Sequence, residues 1–417
     1  MKKNSINLGF FYTVALLSAA LMLPQAAQAI GVLLPNQDPE AIARGNAFAA
    51  TADNPSAIYY NPAGISQLSG FDFELEDINY LGINGRYSPA VGPRQDTDFQ
   101  VTEVPQFFAT YSPTNLPLSF GLGFYSPFGL GTEWPGNGSL RTLAIESRMT
   151  YLTLSPVVAW QITPTLSISA GPTFNYSRLK IRRGLFTDAD QFTFKGEGEA
   201  YGGTAGILWQ PTPKWSLGLD YRSETRVNYG GNSVYLFGTG TGAGISAPTT
   251  ANAILPTIVS GGISFRPTKK WNMEFDVDYI NWDSLNSIGL NGTAALFHQN
   301  LALHLNWEDS WQYKFGVTRY FDNGWFVSAG YFYSSQTAPE AYYTPAVPDT
   351  ELHTGSIGFG HHGEHWSWAL TGQLIMGPER TITTEPTNVG PPPISASPAG
   401  KYQLIIPSVD FSVSYRF

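Results

Sequence analysis

The densest run of metal-capable and acid–base side chains in this chain is His361-His362-Gly363-Glu364-His365. Imidazoles beside a carboxylate suit a zinc ion or general acid–base work. The order differs from H-E-x-x-H, a pattern that a helix must carry. The flanking residues alternate apolar and polar around a turn-forming glycine, so the run reads as a turn between strands. Lipid hydrolysis would need a serine nucleophile, and no G-x-S-x-G accompanies the six histidines. Cysteine is absent, which removes thiolate catalysis, disulfides and Cys-based metal sites. The glycines match no phosphate-binding fingerprint between a strand and a helix. No enzyme, metal or cofactor is expected. What remains is charge on one face of alternating runs: the acids Asp220, Glu274, Asp276 and Asp278, and the cations Arg178, Arg222, Lys314 and Arg319. These are expected to face a shared interior.

The elements that would position them follow from composition and period. The chain has 417 residues, of which 42% are hydrophobic, 14% aromatic and 13% charged. Globular domains carry roughly 25% charged residues. Glycine (43) and proline (30) are abundant, which excludes a coiled coil or helical bundle. No segment after the leader has the roughly 18 consecutive apolar residues of a membrane helix. The formal charge of −9 offers no basic footprint for nucleic acid. Period-2 alternation recurs instead. Trp271, Met273, Phe275, Val277 and Tyr279 alternate with Asn272, Glu274, Asp276 and Asp278, and Val409, Phe411, Val413, Tyr415 and Phe417 with Asp410, Ser412, Ser414 and Arg416. Such runs reach about ten residues, enough to cross a bilayer as tilted strands. A polar face holding three acids would be hard to bury in a sandwich and easy to solvate in a barrel lumen.

Strands are expected near 71–88, 100–111, 117–126, 147–160, 166–179, 192–209, 215–228, 254–265, 271–281, 307–320, 325–335, 351–360, 366–377 and 402–417. That makes an all-β fold, a 14-stranded antiparallel transmembrane β-barrel, with short and long connections alternating as outer-membrane barrels require. Residues 1–29 read as a secretory signal peptide: Lys2 and Lys3, an apolar Leu8–Leu23 stretch, then Ala27-Gln28-Ala29 before a mature start at Ile30. Residues 71–417 form the barrel. Residues 30–70 do not alternate. Asp38-Pro39-Glu40 is an N-cap, an N1 proline and an acidic first turn, Ala41–Ala52 suits a short helix, and Asn61-Pro62 ends the helical pieces. A module of this size cannot bury its own core and must plug the lumen as a small N-terminal helical hatch.

Here the residues carry a resemblance. Arg44-Gly45-Asn46-Ala47-Phe48-Ala49, followed by Ala52-Asp53-Asn54-Pro55-Ser56-Ala57-Ile58-Tyr59-Tyr60-Asn61-Pro62-Ala63-Gly64, resembles the hatch of the FadL family. Further blocks such as Leu154-Ser155-Pro156-Val157-Val158-Ala159-Trp160 and Asn306-Trp307-Glu308-Asp309-Ser310 resemble it in the same order. The resemblance implies a plugged 14-stranded barrel in the outer membrane of a Gram-negative bacterium. It implies passive uptake of long-chain fatty acids or, in another branch, aromatic or aliphatic hydrocarbons. A general porin is the alternative of another class, and the hatch argues against it. Asn61, Pro62, Ala63 and Gly64 are the expected hatch residues.

Capture is expected at apolar loop residues, Phe128, Leu130 and Trp134 in one loop and Tyr235, Leu236 and Phe237 in another; the same residues could instead fold over one another as a cap. Gly121, Gly123 and Pro127 would loosen the third strand into a lateral window, or the glycines could contact the hatch. Phe417, a terminal aromatic on an alternating strand, resembles the signal read by the barrel assembly machinery. A monomer surrounded by outer-membrane lipid and lipopolysaccharide is expected.

Overall fold

A computed structural model describes residues 32–81, 84–99, 101–186, 189–237, 244–383 and 397–417. The expected signal peptide and the Ile30 start lie outside the described residues. Fourteen wall strands follow one another among the described residues: β1 (Gly70–Leu81, continued by Asn84–Pro89), β2 (Val101–Ser112), β3 (Leu118–Tyr125, continued by Gly129–Glu133), β4 (Glu146–Thr163), β5 (Leu166–Arg183), β6 (Gln191–Thr212), β7 (Trp215–Arg222 and Thr225–Leu236), β8 (Gly244–Leu255 and Ile258–Thr268), β9 (Trp271–Ile280), β10 (Ser310–Tyr320), β11 (Trp325–Ser334), β12 (Leu352–His362), β13 (Trp366–Ile382) and β14 (Gly400–Arg416). Neighbours pair antiparallel, and β1 returns to β14 from Asp72↔Arg416 to Tyr80↔Ser408, closing the barrel. Closure gives every strand a neighbour on both sides, the condition for backbone polar groups to survive in lipid.

Alternation sets the two faces. On β9, Trp271, Met273 and Phe275 are 38–44% exposed, whereas Asn272, Glu274 and Asp276 between them are at most 2% exposed. The outward face is an apolar belt, and Trp209, Trp215, Trp271, Trp325 and Trp366 gather beside the short turns at one end. Exposed aromatic surface of this extent suits lipid and its interface, not water.

The N-terminal segment lies inside. It contains α1 (Pro39–Ala43), α2 (Ala57–Tyr60) and a 3₁₀ turn, Pro62–Gln67. Asp38 caps α1, its Oδ1 accepting from the Ala41 amide at 2.6 Å, with Pro39 at N1. The helix expected over Ala41–Ala52 stops at Ala43. Gly45 (φ 63°) and Asn46 (φ 59°) turn the chain into the left-handed region, which ends a helix.

The strands also run further than alternation alone suggested. The stretch expected as loop 229–253 is largely the pairing of Thr225–Leu236 with Gly244–Leu255, and Gly129–Glu133 within the expected loop 127–146 pairs with β4. Ladder bonds continue where neighbouring chains stay side by side, whether or not lipid surrounds them.

Candidate functional site

The acids of β9 are buried against the hatch, where they hold its backbone. Asp276 Oδ2 accepts from the amides of Phe48 (2.8 Å) and Ala49 (2.9 Å). Glu274 Oε1 accepts from those of Ala50 (2.7 Å) and Thr51 (3.1 Å). Four successive amides that a helix would have left to its own carbonyls are thus satisfied by two wall carboxylates. Asn61 is fully buried; its Nδ2 donates to the carbonyls of Ala49 (2.8 Å) and Ile207 on β6 (3.0 Å), while its Oδ1 accepts from Ala63. Pro62 opens the 3₁₀ turn and Ala63 is fully buried in it. Gly64 packs on Ala52, leaving no room for a side chain.

Lumen-facing glycines make the seat. A Cβ at Gly330 would overlap the Arg44 backbone, one at Gly218 the Ala49 backbone. Gly121 and Gly123 belong to the same pattern: their Cβ positions would lie 2.9 Å from Ile58 of α2, and both glycines sit in the paired part of β3.

The wall ladder is interrupted next to them. β2 and β3 pair from Tyr111↔Phe120 to Phe107↔Phe124. β3 then breaks at Ser126-Pro127-Phe128 and resumes beside β4, offset by one residue. Among the described residues, the β2 edge from Val101 to Gln106 has no ladder partner on the β3 side. The N-terminal segment runs along the broken stretch. Leu33 bridges Phe128, the Leu34 amide donates to the Pro127 carbonyl at 2.8 Å, and the Gly129 amide donates to the Val32 carbonyl at 2.8 Å.

Towards the long-loop end the interior becomes apolar. Val32, Phe128, Met149, Tyr151, Phe192, Phe194, Tyr229, Trp282 and Trp307 belong to one buried cluster. Phe128 meets Tyr151 edge-on at 5.3 Å. A small cavity of about 60 Å³ lies against residues 32–36, lined also by Tyr80, Ile280, Trp282, Trp307, Phe332 and Ile375 and by polar Gln312, Ser334 and Thr337.

The expected capture residues are dispersed around this end. Leu130 lies opposite Met149 in the β3–β4 register. Trp134 is buried among Tyr87, Tyr343 and Tyr402, its Nε1 donating to the Pro345 carbonyl at 2.9 Å. Tyr235 packs on Phe186, Phe237 and Phe297, and its hydroxyl bonds Asp190. Leu236 ends its strand, and Phe237 is 50% exposed. Phe417, at the other end, donates its amide to the Phe71 carbonyl and packs on Phe71 and Tyr415.

Two of the four expected lumenal cations are elsewhere. Arg178 shares the outer face with Phe174 and Tyr176 and pairs with Glu197, and Arg319 lies over the outward Trp271 ring. Arg222 and Lys314 face inward but are already paired with Asp220 and Asp278. The three histidines of the turn point to separate partners: His361 to the Asn323 carbonyl, His362 to Glu40 at 3.0 Å, and His365 to the Arg416 carbonyl. They share no focus where an ion could sit. The acid-to-amide anchoring was invisible in sequence, because alternation tells which face a carboxylate takes and not what lies across the lumen.

The family model for outer membrane protein transport proteins (OMPP1/FadL/TodX) matches residues 20–367. The long-chain fatty acid transport protein of Escherichia coli K12 is 20% identical over 356 residues, covering 74% of this chain and 79% of that protein. Its counterpart from E. coli O6:H1 is 22% identical over 282 residues, 58% of this chain, and the match spans only 62% of that relative's length. Among solved structures, a Pseudomonas aeruginosa FadL homologue superposes with a TM-score of 0.80 at 17% identity, covering 93% of this chain and all of that one. The Ralstonia pickettii toluene transporter TbuX gives 0.69 at 17% identity over 92% of this chain and 99% of its own.

Proposed function

The chain belongs to the OMPP1/FadL/TodX family of outer-membrane transport proteins, and on that premise we propose that it carries hydrophobic small molecules, long-chain fatty acids foremost, from outside the cell into the outer membrane by passive diffusion. The observation that carries this reading is the broken β3 ladder, bordered by residues 32–34 and opening beside the apolar interior. A molecule caught among the aromatic residues of the extracellular end passes to the cavity and leaves sideways through the Ser126–Phe128 break. Straight descent is disfavoured: the hatch fills the lumen and its surroundings are polar. Each buried CH₂ is worth about 0.8 kcal/mol, so a route that keeps apolar contact is favoured over one that abandons it. The route requires no catalytic step. The same reading holds that lipid and lipopolysaccharide surround a monomeric barrel, and that the assembly machinery reads Phe417.

One observation favours uncharged aromatic hydrocarbons as a second substrate class. The residues lining the cavity include no lysine or arginine, and the single acid among them, Asp349, is paired with Arg380. A carboxylate would find no cation there.

The test is uptake by cells lacking their own transporter, with labelled oleate and labelled toluene measured separately, beside swelling of proteoliposomes in sugars. Uptake of either with no swelling is expected. Rapid swelling without hydrophobic uptake would overturn the reading in favour of a general porin.

A further inference from the structure

Asp38 of the hatch meets Glu74 and Glu76 of β1 inside the barrel. One carboxylate oxygen from each lies within 4.8 Å of the others, and all three residues are buried. Of the neighbouring cations, Arg44 pairs through one nitrogen with Glu40 at 2.8 Å, its other two nitrogens having no partner, and Arg416 pairs with Asp72 at 2.9 Å. Both oxygens of Glu76 and one of Glu74 receive no N–H or O–H donor, and Glu76 lies within hydrogen-bonding reach of the Asp38 carboxyl. A further buried polar side chain lies across the ladder from this group. Gln106 on β2 stands directly across from Glu76, is 1% exposed, and directs its Nε2 to the Asn36 carbonyl while its Oε1 has no partner. Directly opposite residues of an antiparallel pair hold their Cβ atoms about 5 Å apart, so this oxygen and the carboxylates are neighbours.

Asp38 is held by the Ala41 amide and the Asn54 side chain, but three buried carboxylates side by side, two of them with unpartnered oxygens, cost free energy unless protons or a cation compensate them. We propose that Asp38, Glu74, Glu76 and the Gln106 carbonyl oxygen bind one calcium ion, which ties the hatch to the β1–β2 wall. The donor set is oxygen only, which suits a hard cation. Calcium sits about 2.4 Å from its ligands, so oxygens up to about 4.8 Å apart can share it, whereas magnesium, at about 2.1 Å, demands a tighter cage. An entry path exists. A cavity of about 270 Å³, lined by Glu40, Asp72, Glu74 and His362, adjoins the cluster from the short-turn end.

The test uses the full protein in detergent, stripped with a chelator, with the folded barrel verified by heat-modifiable mobility. Calcium is titrated by calorimetry, and terbium by luminescence sensitised through Tyr60, whose hydroxyl accepts from the amide next to Asp38. One saturable ion per chain is expected, weakened at least about tenfold by Glu76→Gln and by Glu74→Gln, and unchanged by Glu364→Gln in the exposed turn. Gln106→Leu, which leaves every charge in place, should weaken binding too. Absence of saturable binding, or equal affinity in the Glu74→Gln/Glu76→Gln double variant, would overturn the proposal and leave shared protons as what holds the cluster.

Discussion

The Arg44 backbone of the hatch rests directly on Gly330 of β11: a Cβ at position 330 would lie 2.6 Å from the Arg44 carbonyl oxygen and closer still to its carbonyl carbon. The obstacle is backbone and cannot swing aside. Gly330→Ala should therefore lift this edge of the hatch, at roughly 1–3 kcal/mol of overpacking, while the wall strands keep their pairing. Planar-bilayer recordings should show higher ion conductance with unchanged heat-modifiable mobility. Wild-type conductance would mean that the hatch does not depend on this contact.

The carboxylates of β9 predict a second effect. Asp276→Ala strands the Phe48 and Ala49 amides, and each unsatisfied buried amide costs about 1–3 kcal/mol. Glu274→Ala does the same to Ala50 and Thr51. Amide hydrogen exchange at 48–51 should accelerate in the matching variant, and the two substitutions should act on different amide pairs. Uniform protection in both variants would contradict the anchoring.

Asn61 predicts a third. Asn61→Asp keeps the acceptor for Ala63 and loses the donor to Ala49 and Ile207. The cap is kept, so the cost is that of the two lost hydrogen bonds, one to Ala49 within the hatch and one to Ile207 of β6, each about 1 kcal/mol or more because the freed carbonyls are buried. Asn61→Asp should raise conductance more than Ser66→Ala, and substrate transfer should fall with it. Equal behaviour of the two variants would refute a special role for Asn61.

The broken ladder gives a direct test of the lateral route. Leu33 and Phe128 oppose each other in an antiparallel bridge, close enough for a disulfide, and the chain has no cysteine of its own. In the Leu33→Cys/Phe128→Cys variant, oxidation should fasten residues 32–34 to the break and abolish hydrophobic uptake, and a reductant should restore it. Full uptake by the oxidised variant would exclude this route.

Acid should loosen the hatch through Glu40. Burial alone would raise this carboxyl, but the charges of His362 and Arg44 outweigh burial and hold it at about 2, below its ordinary 4.5. A depressed value means that the contribution is complete above about pH 4.5 and is lost as the pH falls through about 2. Conductance should rise over that window in the wild type. In Glu40→Gln it should be high already at neutral pH, because Arg44 is then buried with its carboxylate removed, at a cost of roughly 3 kcal/mol. A flat wild-type profile from pH 5 down to about pH 2 would count against the pair.

Sequence alone determined the wall. Alternation at 271–279 assigns Trp271, Met273 and Phe275 to lipid and Glu274 and Asp276 to the interior, because side-chain direction in a strand is a local, period-2 property. The Asp38-Pro39 cap is equally local. Tertiary structure decided what the inward residues do. Asp276 reaches the Phe48 amide across 228 positions of chain, a contact that exists only because β1 closes on β14 and brings the hatch within reach. From alternation these acids are expected to be solvated in the barrel lumen, but the structure buries Glu274 and Asp276 as acceptors for the hatch backbone. The helix expected over 41–52 gave way for the same reason: its amides found stronger partners on the wall than its own carbonyls. His361, His362 and His365 are adjacent in composition and divergent in space, because the strand-to-strand turn sends each ring to a different neighbour.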